Sequence, residues 1–210
     1  EQITVPVYFH VINIGSRADQ GNVEDGTLED QIRILNRAYK PANVTFTLAG
    51  IDRTTNSQWM NSELGSQEDW DLRGALRAGS ADTLNVYTIA PSDSNLGWSQ
   101  YPWDLVTDGA TDGIVVDYRS LPGGEYPEYN LGMTVVHETG HWMGLYHTFE
   151  FGCGGNDDVA DTPAEDTANF GCPAVAPDSC PNDEGLDPIH NYMDYPDDAC
   201  LYEFTPGQIE

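Results

Sequence analysis

The sequence predicts an α+β fold, and three observations carry that expectation. Strand-like and helix-like segments alternate through the first 120 residues, one helix-like stretch at 131–146 carries a dense histidine motif, and the remainder is rich in Gly, Pro, Asp, Asn and Cys without sustained periodicity. At 210 residues the chain has room for one well-filled core and not comfortably for two. A single domain is therefore expected over 1–210, with an N-terminal part of about 1–147 and a C-terminal part of about 148–210.

Val5, Val7, Phe9 and Val11 recur at every second position, the spacing of a strand. Leu28, Ile32, Leu35 and Tyr39 follow helical spacing, after a Thr27 to Asp30 start that resembles a capping box. Val44 to Leu48 reads as a second strand, Ser66 to Arg77 as a helix, and the apolar runs Thr83 to Ile89 and Ile114 to Tyr118 as buried strands of a mixed sheet. Between those runs lies an aromatic-rich segment, 94–103, bounded by Pro91 and Pro102, which suits an edge strand. Two readings of it stand. Leu96, Gly97 and Trp98 offer an edge on which an extended peptide can pair, or the aromatics cap the core.

The formal net charge is -27, from 35 acids against 8 bases, which argues against nucleic acid or anionic membrane as a partner. No run approaches the roughly 18 apolar residues of a membrane span. The start, EQITVPVYFHV, reads as a strand rather than a leader, as in an already trimmed form. Every Lys and Arg lies at or before Arg119, while 18 acids follow it. Those carboxylates are either solvated or neutralised by bound cations. Cys153, Cys172, Cys180 and Cys200 contain no CxxC pair, which favours two disulfides over a zinc ribbon, and with them an oxidising compartment. Sequence alone leaves three pairings open. Asn43-Val44-Thr45 has the pattern of a glycosylation acceptor.

The segment His137-Glu-Thr-Gly-His141-Trp-Met-Gly144-Leu-Tyr-His147 fits HExxHxxGxxH. On a helix His137 and His141 point the same way one turn apart, so both imidazoles can reach one ion. His147 reaches it only if the chain turns sharply, and Gly144 tolerates such a turn. Three neutral nitrogens leave a fourth position for water, the mark of a catalytic rather than a structural zinc. Glu138 is placed to take a proton from that water and pass it to the leaving amine. By chance five fixed positions would match on the order of once in a hundred thousand chains of this length. His10 reads as a core or edge histidine, and His190 is not assigned to the metal.

With Asn191-Tyr-Met-Asp-Tyr195 downstream, the chain resembles the metzincins, in which a methionine turn lies beneath the zinc; Met193 matches that methionine. The pieces His147-Thr-Phe-Glu150, Gly152-Cys153, Asp161-Thr-Pro163, Gly171-Cys-Pro173 and Asp187-Pro-Ile-His-Asn191 resemble the pappalysin family, which includes ulilysin-like enzymes and fungal extracellular metalloproteases. That resemblance implies a two-lobed domain, with a mixed five-stranded twisted sheet and two long helices above an irregular, disulfide-bonded lower lobe. It implies substrate extended along the edge strand and Tyr195 near the zinc as an oxyanion support. It implies the pairs Cys153 with Cys180 and Cys172 with Cys200, and calcium in the loop 155–163, with Asp157, Val159 and Thr162 as ligands. A pro-segment that blocks the site before activation is also implied, as is a last helix that only begins at 204–210.

The expected function is a secreted, zinc-dependent endopeptidase acting on proteins or peptides. An inert zinc-binding module would be expected to have lost the base or a ligand, and all are intact. Hydrolysis of a non-peptide ester or amide is compatible with the motif alone, but the edge strand favours peptides. Asp194, Asp197 and Asp198 near the methionine turn suggest basic residues on the primed side of the cut, while Ala199 puts no charge beside them.

Overall fold

In a computed structural model, which describes residues 2–155 and 157–210, the elements follow the predicted order. They are β1 (Ile3–Asn13), α1 (Asp25–Ala38), β2 (Val44–Thr55), α2 (Ser57–Met60), α3 (Gln67–Leu76), β3 (Leu84–Ile89), β4 (Gly97–Ser99), α4 (Leu105–Asp108), β5 (Ile114–Asp117), α5 (Met133–Trp142) and α6 (Pro206–Ile209). The five strands form one sheet in the order β2-β1-β3-β5-β4. Its first three pairings are parallel and only β4 runs antiparallel, on β5. The sheet is thus mixed, and β4 is its edge.

Both faces of the sheet are covered, which is why β3 and β5 are mostly apolar and buried along their whole length. Val5, Val7, Phe9 and Val11 of β1 pack with Leu28, Ile32 and Leu35 of α1 and Val135 and Val136 of α5. On the other face Ile12, Tyr87, Ile89 and Val115 meet Met60, Leu72 and Trp98. Ser66 caps α3, its side chain accepting from the Asp69 amide.

Three elements differ from the sequence reading, and one is the helix expected at 131–146, which spans only Met133–Trp142. α1 begins at Asp25, with Glu24 as N-cap and no side-chain cap, so the Thr27 to Asp30 box is not its start. Arg53 of β2 explains the earlier entry, since its Nη2 donates to Val23 O at 2.7 Å and to Asp25 Oδ1 at 2.6 Å. β2 runs to Thr55 rather than Leu48 because it keeps pairing with β1 after a register shift at Val7/Tyr8. Gly50 permits that shift, as a Cβ there would lie 2.3 Å from the Tyr8 ring.

After His147 the chain is mostly turns, tied by the disulfides Cys153–Cys180 and Cys172–Cys200. Tyr192 and Leu201 join the main core and Met193 is fully buried. Phe151 and Phe170 stay half or more exposed, at 50% and 65%, although Phe151 meets Tyr146 edge-on at 5.3 Å. No helix among the described residues is long and apolar enough to cross a membrane.

Candidate active site

Helix α5 is fixed at both ends. At its start Asp198 Oδ2 accepts from the Leu131 amide at 2.8 Å and the Met133 amide at 3.2 Å, while Gln31 Nε2 of α1 donates to Gly132 O at 2.9 Å. At its end the Leu145 amide folds back onto Gly140 O at 2.9 Å and Gly144 takes φ 103°, a value costly for any side chain. That reversal carries His147 back to the face shared by His137 and His141.

The three imidazoles converge. His141 Nε2 lies 3.1 Å from His137 Nε2 and 3.0 Å from His147 Nε2. Each Nδ1 faces an acceptor: Tyr192 O at 2.7 Å for His137, Leu145 O at 2.7 Å for His141, and Glu150 Oε2 at 2.8 Å for His147. Those acceptors assign the protons to Nδ1 and leave three bare Nε2 lone pairs aimed at one another. A cation among them relieves that repulsion, so this donor set fits zinc. Burial pulls His137 well below its ordinary pKa and His141 down to about 3, with the neighbouring histidines adding to both. Burial also lowers His147, against the pull of Glu150. The neutral form is the one that binds metal.

Glu138 is buried on the same helix, and desolvation pushes its carboxyl up to about 8. It rests on the edge strand: a Cβ on Gly97 would lie 3.0 Å from Glu138 Cγ and 2.9 Å from Val115 O. Tyr195 Oη lies 2.9 Å from His147 Nε2, and burial pushes its phenol up to about 12, so it stays a proton donor. Phe149 stacks on His147, 4.8 Å between centroids, and meets Tyr195 edge-on. Met193 lies under the helix, its Sδ where a Cβ on Gly140 would be only 2.4 Å away.

A cavity of about 310 Å³ opens beside His137 and Glu138, lined among others by Leu96, Gly97, Met133, Phe170 and Tyr195. Leu96 and Gly97 therefore border the site as the sequence suggests. The side chain of Trp98 does not. It is 6% exposed, points to the opposite face of the sheet and donates through Nε1 to Asp69 Oδ1 at 3.2 Å. Strand alternation forces this once Gly97 faces Glu138. The Trp98 main chain is turned toward β5 as well, opposite Val115 and between the Leu96 and Gln100 bonds to Asp117 and Gly113, so the open edge is the backbone of Gly97 and Ser99. Asp194 and Asp198 line the cavity, and Asp197 does not.

In the loop expected to hold calcium, Asp157 is buried; its Oδ1 accepts from the Val159 amide at 3.1 Å, and Gln208 Nε2 donates to Oδ2 at 3.3 Å. Thr162 Oγ1 is buried with no hydrogen-bond partner at bonding distance. Asn156, in the same loop, lies outside the described residues. The two other histidines stand apart from the metal position. His10 is buried between Asp52 Oδ2 and Asn85 Oδ1, and His190 Nδ1 donates to Cys200 O.

The peptidase M43 family model, described as pregnancy-associated plasma protein-A, matches residues 80–210. An extracellular metalloprotease of Verticillium alfalfae is 46% identical over 212 residues, covering 98% of this chain and 73% of that one. One from Pyricularia oryzae is 44% identical, covering 98% and 72%. The chain belongs to the pappalysin family. Mature mirolysin of Tannerella forsythia, solved with a cleaved peptide, superposes with a TM-score of 0.86 at 30% identity over 100% of this chain and 89% of that one. Promirolysin of the same organism gives 0.85 at 30% identity, over 100% and 78%.

In this pappalysin-family metalloendopeptidase several residues that sequence reasoning did not single out stand at the site. Glu150 accepts from the third histidine, and its signal is a carboxylate one helical turn after His147. Gly140 makes room for Met193, a small residue on the buried face of an otherwise apolar helix. Tyr101 stands edge-on to His141 at 5.4 Å, and nothing in its local sequence marks it.

Proposed function

We propose that this chain is a secreted, zinc-dependent endopeptidase in which Glu138 is the general base and β4 aligns the substrate. The observation that carries this reading is the meeting of three bare Nε2 atoms beside a buried carboxyl at the edge of a sheet. When bound, zinc supplies a Lewis acid that polarises the scissile carbonyl and acidifies a water molecule. His137, His141 and His147 would hold it through Nε2, kept neutral by burial. Glu138 takes a proton on its carboxylate and returns it to the leaving amine, its position fixed against Gly97. Tyr195 Oη donates to the oxyanion that develops on the carbonyl. The outer edge of β4 orders the substrate backbone in extended form.

The cleaved peptide in mature mirolysin supports a peptide substrate, and the promirolysin form supports a blocking pro-segment. The extracellular relatives and the two disulfides support secretion. A single catalytic domain over 1–210 agrees with the shared cores. Asp194 and Asp198 border the cavity, but both are buried and desolvation raises their carboxyls to about 8 and about 6, so a preference for a basic side chain on the primed side rests on whatever charge they keep, and a cleavage profile without Arg or Lys there overturns it. Calcium fits the buried oxygens of Asp157 and Thr162, with the Val159 carbonyl close by, where it accepts from the Thr162 amide at 3.3 Å.

The test is cleavage of unfolded casein by the protein, by Glu138→Ala, and by protein stripped with a chelator and given zinc back. Cleavage by wild type, none by the variant and recovery with zinc support the reading. Folded, zinc-loaded wild type that cuts nothing refutes it.

A further inference from the structure

On the side of the histidines away from the cavity, aromatic rings continue outward from the metal position. Tyr101 meets His141 edge-on at 5.4 Å and stacks on Trp103 at 4.6 Å with only 9° between planes. Tyr146 leans on both, 5.5 Å from each, and Phe151 closes the group at 5.3 Å from Tyr146. The rings are held from below, since Pro102 and Trp103 lie 3.7 and 3.8 Å from where a Cβ on Gly144 would stand. Yet Trp103 and Phe151 are each 50% exposed. Rings recruited only to cap a core would be covered. These form an open, pre-assembled apolar surface continuous with the site.

Building on the endopeptidase reading, we propose that Tyr101, Trp103, Tyr146 and Phe151 form a substrate subsite that selects an aromatic or large aliphatic side chain about three residues N-terminal to the scissile bond. The distance follows from the ring spacings of 5.4 and 4.6 Å leading away from His141, set against an extended chain that advances roughly 3.3 Å per residue. The direction follows from β4. The strand leads from Gly97, at the cavity, through Ser99 toward Tyr101. A peptide added antiparallel, the more stable pairing, runs the opposite way and lays its N-terminal residues on the rings. The rings are already stacked on one another, so little ordering opposes the contact.

The experiment is cleavage of a set of quenched decapeptides that differ only in the residue three positions before the cut. Wild type and Trp103→Ala are compared, with Trp103→Phe as the conservative variant, each verified as folded by its thermal transition. Wild type is expected to prefer Phe or Leu over Ala and Asp by about tenfold in kcat/KM, mostly through KM, as one well-filled apolar contact gives. Trp103→Ala brings that ratio near one, and Trp103→Phe restores most of it. Wild type that cleaves the set without preference at that position overturns the subsite and leaves the endopeptidase reading standing. A preference that Trp103→Ala leaves intact also overturns it. Wild type that cleaves no peptide overturns the reading on which the subsite rests.

Discussion

Two glycines decide where the reacting groups of this molecule stand. Gly97 lets the edge strand lie against Glu138, and Gly140 lets Met193 reach the underside of the helix. Gly97→Ala would press on the carbonyl of Val115 as well as on Glu138, so kcat is expected to fall with little loss of bound zinc, measured by turnover beside metal content. Gly140→Ala meets the softer end of Met193 and is expected to cost about 1–3 kcal/mol in denaturant unfolding, typical of an overfilled core. Glu138→Gln keeps the shape and removes the base; turnover is expected to drop by roughly 10²–10⁴, with zinc content by mass spectrometry unchanged. The histidines and Glu138 were legible in sequence because five fixed positions carry their own geometry. Tyr101 was not, because its partner His141 is 40 residues away and only the path of 94–103 brings them together. Trp98 was legible as an edge residue but not as an inward one, since the face of a three-residue strand depends on register and not on composition.

Among the elements, α5 depends on contacts from two distant segments, Gln31 of α1 and Asp198 of the turn before Cys200. Asp198 binds two amides with one oxygen, yet desolvation still pushes its carboxyl up to about 6. Asp198→Ala leaves those amides unpaired at a buried helix start. It is expected to cost about 1–3 kcal/mol, read in thermal unfolding, and to weaken zinc retention against a chelator. The long strands and α1 were readable from alternation and helical spacing, which depend only on neighbours in sequence. The last seven residues of β2, 49–55, were not, because most are small or polar and their pairing with β1 is a long-range backbone match that no local pattern marks. Nor was the length of α5, which ends at Trp142 rather than Tyr146 because Gly144 breaks it.

At the scale of the whole molecule, charge is the dominant feature. Beside the methionine turn, burial and the neighbouring Glu165 push the Asp194 carboxyl up to about 8, and burial raises Glu165 as well. Both carboxyls can stay buried together only while a proton is shared between them. The unfolded chain releases that proton near the ordinary carboxylate pKa, whereas the fold holds it until about 8. Between those limits the folded state binds more protons, so stability is greatest at the acid end of the window and falls as pH rises through it. Asp194→Asn supplies a permanent donor, and its melting temperature is expected to decline less between pH 5 and pH 8 than that of wild type, both measured without added calcium. Calcium itself is expected to raise the melting temperature of wild type by several degrees at pH 8, and Asp157→Asn to lose most of that gain. The absence of Lys and Arg beyond Arg119 also bears on resistance to digestion. The part of the molecule with the least regular structure, where local opening would first bare a backbone, contains no bond that a lysine- or arginine-directed protease can recognise. In a mixture of secreted hydrolases, a digest of that kind stops at Arg119 and leaves the metal-binding helix, the methionine turn and both disulfides on one uncut fragment.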